Sequence, residues 1–179
     1  MRATDAAGNT DATPASRTWS VTVATGVDMG LIGTKSIESK TGQSRAGTAQ
    51  AFAMTAWRTG TARKLELYVE PGGGATTVVA GIYADAGGRP GALMGQGSRA
   101  VTNGAWNTIA LPERAVTTGR RYWIGIPGRG GALRFRYRAG SGSSQTSAQT
   151  WLTSLPSRWT TGTAYPGGTL SVLVSGPTG

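Results

Sequence analysis

Six tryptophans and five tyrosines are the side chains of this 179-residue chain with the most to offer chemistry, and what they offer is recognition. Indole and phenol rings are flat, rigid and apolar, so the CH-rich face of a pyranose packs on them while neighbouring polar groups bond its hydroxyls. Trp151, Trp159 and Tyr165 lie in a stretch rich in Ser, Thr, Gly and Gln that holds a single Arg. That mixture suits a sugar. Trp159, framed by LPSRW and a following turn, could equally plug the end of a β-sandwich, and Trp151 could pack inward. Trp19, Trp57 and Trp106 fall at strand ends, where core packing is expected.

The residues on which catalysis usually turns are scarce. With no His and no Cys there is no imidazole proton shuttle, no thiolate or Ser/His nucleophile, no disulfide framework and no ordinary zinc or copper site. The last carboxylate is Glu113, so any paired-carboxylate chemistry would have to sit in the first two thirds of the chain. No nucleophile and base can be assembled, and the expectation is a non-enzyme.

Charge is the other chemical resource. Eighteen basic residues, fifteen of them Arg, face eight acids for a net charge of +10, and eight of the arginines follow Glu113. Arg134, Arg136 and Arg138 are spaced by two and therefore share one sheet face at intervals of roughly 6.6 to 6.8 Å. Alternation sets Trp123 outward opposite Arg136, a cation and aromatic surface suited to a uronate, a teichoic acid or a phosphate, unless it is simply a solvated face. No RRM, KH or zinc signature accompanies it, so nucleic acid is not expected as a partner. Calcium would need several clustered oxygen ligands, and only Asp28, Glu38 and Asp85 come into question. No cofactor is expected. The glycine clusters EPGGGA and PGRGG open no helix and so do not cradle a phosphate in the P-loop manner, and YADAGGRPGAL reads as a turn set by Asp85, Gly87, Gly88 and Pro90.

The elements that must position these residues are strands throughout. Short runs rich in Thr, Val, Ile and aromatics, broken by Gly and Pro every 8 to 12 residues or so, predict an all-β fold, an antiparallel two-sheet β-sandwich. Strands are predicted at 17–23, 48–56, 62–70, 76–84, 92–101, 106–111, 119–126, 132–138, 148–153 and 169–175, with residues 139–147 as the most Gly/Ser/Thr-rich loop. Two hairpins follow from alternation. One pairs Val69 with Val78 and Leu67 with Ala80; the other pairs Ile124 with Phe135. Leu65, Leu67, Val69, Ile82, Ile124, Ile126, Phe135, Val172 and Val174 are the expected core. No apolar run approaches the ~20 residues that would span a membrane as a helix.

Two resemblances extend this reading. RATDAAGNTD followed by TWSVTV resembles the last two strands of the bacterial Ig-like repeats of secreted multi-modular proteins, which makes residues 1–24 the stub of a preceding domain. Residues 30–175 resemble a jelly-roll-like family of β-sandwich modules found near the C-terminus of exported actinobacterial proteins, glycoside hydrolases among them. The matching phrases are AQAFAMTAWRTGTARKLELYVEPGGGATTVVAGIYADAGGRPGALMGQG, AWNTIALPERAVTTGRRYWIGI and LPSRWTTG with GGTLSV. The resemblance implies that residues 25–179 are an accessory module of carbohydrate-binding type. It would be secreted, covalently linked to Ig-like and catalytic domains, and would hold them on an insoluble polysaccharide, α-1,3-glucan among the candidates. Because Trp, Ser, Thr and Gln surround Tyr165 more densely than Arg does, a neutral polymer is expected, and the module is expected to be a monomer. Trp151, Trp159, Tyr165, Trp123, Arg134 and Arg136 are its candidate contacts. A structural or cell-surface adhesion module without a sugar site is the alternative. The N-terminus has no signal-peptide pattern, so export would depend on a signal outside the present sequence.

Overall fold

A computed structural model describes residues 4–10, 26–140 and 142–178. The predicted strand 17–23, Trp19 and most of the Ig-like stub lie outside the described residues. Within 4–10 the chain forms one turn, closed by a Thr4–Thr10 bridge and by Asp5 accepting from the Ala7 and Asn9 amides.

The main body is two facing antiparallel sheets, with no helix among the described residues. One sheet contains β1 (Met29–Gly33), β2 (Lys40–Ser44), β4 (Gly60–Val69), β7 (Ala105–Val116), β10 (Leu133–Arg138), β13 (Thr169–Leu170) and β14 (Val172–Gly176). The other contains β3 (Gln50–Thr55), β5 (Thr77–Asp85), β6 (Pro90–Ala100), β8 (Arg121–Ile126), β9 (Gly128–Arg129), β11 (Ser143–Ser147) and β12 (Thr161–Pro166). This second sheet is ordered β12-β11-β3-β8-β5-β6. The inward faces alternate with the strand period, and all nine predicted core residues are buried in one cluster between the sheets. Phe52 and Phe135 meet edge to face across it, with ring centres 5.4 Å apart.

Both predicted hairpins are corrected. β4 pairs with β7, β14 and β10, whereas β5 pairs with β6, β8 and β9 in the opposite sheet. Leu67 therefore lies opposite Asn107 and Val172, and Ala80 opposite Gly97. The segment EPGGGAT crosses from sheet to sheet instead of turning back, held by the Gly74 and Ala75 amides on the Ala132 carbonyl. β8 and β10 part in the same way: Ile124 pairs with Phe52 and Ile82, and Phe135 with Gly42 and Val69. Alternation fixes which face a residue occupies, but residues that share a core can reach it from either wall.

Three strands carry little sequence signal: β1, β2 and β12 read MGLIG, KTGQS and TGTAYP. The expected loop 139–147 contains β11, hydrogen-bonded on both sides to β3 and β12. The expected strand at 148–153 is instead the start of an irregular strap, residues 148–160, broken only by an Ala92–Arg158 bridge.

The strap accounts for the largest departure from expectation at Trp123. Its indole does stand on the outer face of β8, as alternation requires, but it is fully buried. A second apolar cluster of Ala49, Ala51, Val79, Tyr83, Trp123 and Leu155 lies there, with the strap's Leu155 as its cover. Polar groups stitch the cover down. Gln96 donates to the Leu155 carbonyl at 3.2 Å and accepts from its amide at 2.7 Å, and the Tyr83 hydroxyl donates to the Pro156 carbonyl at 2.8 Å. Burial pushes the Tyr83 phenol above its ordinary pKa. The Trp123 indole N–H donates to Asp85 Oδ1 at 2.7 Å, while Asp85 Oδ2 accepts from the Gly88 amide. Asp85 thus sets the β5–β6 turn, as its place in YADAGGRPGAL predicts, and also satisfies a buried donor.

Replacing Asp85 by Ala strands that donor, which typically costs about 1–3 kcal/mol. Chemical unfolding of Asp85→Ala should show this loss together with altered near-UV dichroism from Trp123; a variant as stable as wild type would mean that the indole N–H finds another partner. A second prediction concerns acid. Burial raises the Asp28 carboxyl, but hydrogen bonds and charge from Arg63 (2.7 Å) and Lys64 (3.1 Å) outweigh it and hold the pKa below its ordinary 3.8. With the folded value depressed, this contribution to stability is present above about pH 4 and disappears as pH falls through the folded pKa. Asp28→Asn should therefore lower Tm at neutral pH and converge with wild type as the pH falls through the folded pKa. A difference independent of pH would contradict the assignment.

Candidate ligand-binding cleft

Where the edges of the two sheets approach each other, a cleft of about 390 Å³ opens between β2 and β10 on one side and β3, β11 and β12 on the other. Its walls include Tyr137 and Tyr165 as aromatic surfaces and Gln43, Gln50, Ser144 and Thr146 as hydrogen-bonding groups. Gly42 is set by a close approach. A Cβ there would lie 2.4 Å from the Phe135 ring, so the otherwise unremarkable β2 must carry glycine where that ring crosses it. Tyr165 stands on β12, paired with Ser144, and is 46% exposed. No charged side chain is among the described lining.

Trp151 is displayed by the strap that leaves β11 and returns into β12. It is 90% exposed and has a φ of 61°, in the left-handed region that a bulky residue adopts only when its surroundings impose it. The cause lies in the backbone beneath. Gly47, itself at φ 70°, packs so that a Cβ would come within 2.9 Å of the Trp151 Cα, and its carbonyl accepts from the Leu152 amide at 2.9 Å. Gly47 in turn donates to the Gly128 carbonyl. The strap is thus pinned to the β2–β3 connection, which is itself bonded to β9, at the point where it presents the indole.

The other expected contacts are placed differently. Trp159 is half-buried and meets Tyr83 edge to face at 5.5 Å, which makes it part of the strap's cover; its indole N–H is buried without a partner among the described residues. Trp123, expected outward beside Arg136, is buried on the other sheet and offers no ring face to solvent. Trp57, expected in the core, is 49% exposed, with the Arg58 guanidinium over its ring and its N–H on the Gly33 carbonyl. Trp106 packs edge-on against Tyr68.

The arginine stripe shares the outer face of β10, but its charge is largely spent. Arg136 makes a two-pronged pair with Glu70 at 2.6 and 2.9 Å, and that hydrogen-bonded carboxylate raises the guanidinium pKa. Arg138 lies 3.7 Å from Glu38, and Arg134 lies across Gly72. Two of the carboxylates weighed for calcium are thereby accounted for, since Glu38 faces Arg138 and Asp28 faces Arg63 and Lys64. Among the described residues no three or more acidic, His or Cys side chains are grouped to hold a metal.

Of the expected contacts only Tyr165 lines this cleft, and sequence reading missed Tyr137, Gln43, Gln50, Ser144 and Thr146. The available signal was polar composition, which made 143–147 look like a loop when it is the strand that supplies a wall. Fold and cleft together define an all-β, two-sheet antiparallel sandwich with an uncharged, aromatic-edged groove. Comparison of the chain with protein-family models and with curated proteins finds no match.

Because Trp151 is exposed yet held at positive φ, Trp151→Gly should be neutral or stabilising, by up to about 1 kcal/mol, through relief of the left-handed strain. Thermal unfolding of Trp151→Gly beside Trp151→Ala checks this. A marked destabilisation by the glycine variant would show that the ring packs on the protein.

Proposed function

We infer that this chain is a non-catalytic module that binds a neutral polysaccharide and so retains a larger secreted protein on it. The observation that carries the reading is the cleft beside Tyr165. On a chain of net charge +10 it is lined, among the described residues, without a single charge, and it combines two tyrosines with amides and hydroxyls. Neutral sugars are recognised through such a combination of flat apolar faces and precisely placed polar groups. The strap adds a further exposed ring in Trp151, four residues beyond the end of β11.

The resemblance of residues 30–175 to accessory modules of exported actinobacterial glycoside hydrolases supplies the setting: an extracellular protein, attached catalytic and Ig-like domains, and α-1,3-glucan as one candidate polymer. A structural or cell-surface spacer remains the competing reading, and one observation favours it. Trp123 and Trp159, two of the four candidate aromatics, are used in packing the strap.

Retention on insoluble α-1,3-glucan, and on a panel of other insoluble glycans, separates the two. Between about 0.1 M and 1 M salt the screening length falls from about 10 Å to about 3 Å, and retention by an uncharged cleft should hardly change. Tyr165→Ala and Trp151→Gly should each weaken it about tenfold, the equivalent of about 1.4 kcal/mol, while remaining folded. An Arg134, Arg136 and Arg138 to Ala variant should lose little. Retention on no neutral glycan would favour the spacer, and salt-sensitive retention abolished by the Arg variant would move the site to β10 and make the ligand acidic.

A further inference from the structure

A second cleft, of about 570 Å³, lies between the end of β5, β6 and the turn that leads into β8. It is lined by Ala84, Asp85, Met94, Thr117, Arg120 and Arg121, together with the largely buried Tyr122. Its chemistry is the opposite of the neutral cleft. Arg120 and Arg121 are both exposed, and neither has a carboxylate within 4 Å among the described residues, whereas Arg63, Arg136 and Arg138 each face one. Arg114 reaches the same rim through a hydrogen bond from its Nε to the Met94 carbonyl. The lone acid of the lining, Asp85, already accepts from the Trp123 indole and the Gly88 amide.

The turn that carries the two arginines is fixed. The Tyr122 hydroxyl accepts from the Thr117 amide at 2.9 Å, Gly119 donates to the Ala56 carbonyl, and the Arg120 carbonyl accepts from the Ala56 amide. Thr59 accepts from the Thr118 amide as well. Unpaired guanidinium groups on a rigid backbone, facing a concave surface, are the arrangement that binds carboxylate or phosphate with two parallel N–H···O bonds. The cleft is also far larger than a free oxyanion, and its volume falls within the range that encloses a small organic ligand.

We propose that this cleft is an acidic-saccharide site, in which Arg120 and Arg121 clamp a carboxylate or phosphate borne by a sugar. It is separate from the cleft beside Tyr165 and does not depend on that cleft binding glycan. The molecule then has two surfaces of different selectivity, one for neutral chain and one for acidic substituents.

The test is calorimetric titration of the full chain with trigalacturonate, with maltotriose as the neutral counterpart and inorganic phosphate as the free anion. Wild type should bind trigalacturonate measurably more tightly than either. Arg120→Ala with Arg121→Ala should weaken it at least tenfold. Arg120→Lys with Arg121→Lys, which keeps the charge but loses the planar fork, should restore only part of the affinity. Arg45→Ala with Arg99→Ala removes the same two charges from exposed positions outside the cleft lining and should change it less than twofold. Undiminished binding in the first double variant, or an equal loss in the charge-matched one, would overturn the site. Phosphate bound as tightly as the acidic saccharide would overturn the sugar-borne part of the assignment. Tyr165→Ala should leave this titration unchanged, so failure here and failure of glucan retention are read separately.

Discussion

The burial of Trp123 is the interaction on which the rest of the presented surface depends. The sheet running from β12 to β6 is apolar on both faces. One face meets the opposite sheet in the main core, and the other carries Trp123, Tyr83, Val79 and Ala51. A doubly apolar sheet must be covered twice, and the second cover is a single strap of irregular chain. Irregular chain has no ladder of its own to satisfy its backbone, so side chains and neighbouring turns supply the partners: Gln96, Tyr83 and Gly47 each bond a strap peptide group. The geometry of the exposed rings follows from this. The strap leaves β11, displays Trp151 where it is pinned at Gly47, buries Leu155, and returns as β12 with Tyr165.

Charge is distributed with a comparable division of labour. The few acids are committed to particular cations: Asp28 to Arg63 and Lys64, Glu66 to Lys35, Glu70 to Arg136 and Glu38 to Arg138. The stripe on β10, which looks in sequence like a free basic face, is therefore substantially neutralised. Most of the other described arginines, Arg120 and Arg121 beside the β8 turn among them, have no carboxylate within 4 Å among the described residues, while the cleft between the sheet edges is left without charge. Counting arginines in the sequence locates none of this, because pairing partners such as Glu70 and Arg136 lie 66 residues apart in the chain.

Period-two alternation made the fold class and the core legible. Leu65, Leu67 and Val69, and equally Ile124 and Ile126, could only be inward residues of strands, and they are. Pairing was not legible, because β4 and β5 both direct their apolar residues into one core whether they are neighbours or opposite walls. Strands of low β-propensity also escaped notice. β2 is held by β10 on one flank and β11 by β3 and β12 on both, with close contacts such as Gly42 against Phe135, features that leave no periodic mark. Trp123 shows a third limit. Its outward orientation was readable, but its cover comes from a segment about thirty residues later whose Thr- and Leu-containing sequence mimics a strand.

The left-handed backbone at Trp151 changes when the cost of ordering is met. A surface indole on a mobile loop must give up conformational freedom each time a partner arrives, and that loss is subtracted from the affinity. Here the strap's anchorage to Gly47 and to the sheet beneath has already fixed the main chain during folding. A partner that stacked on that ring would find the main chain already ordered, and only the indole's own rotamer would remain to be fixed.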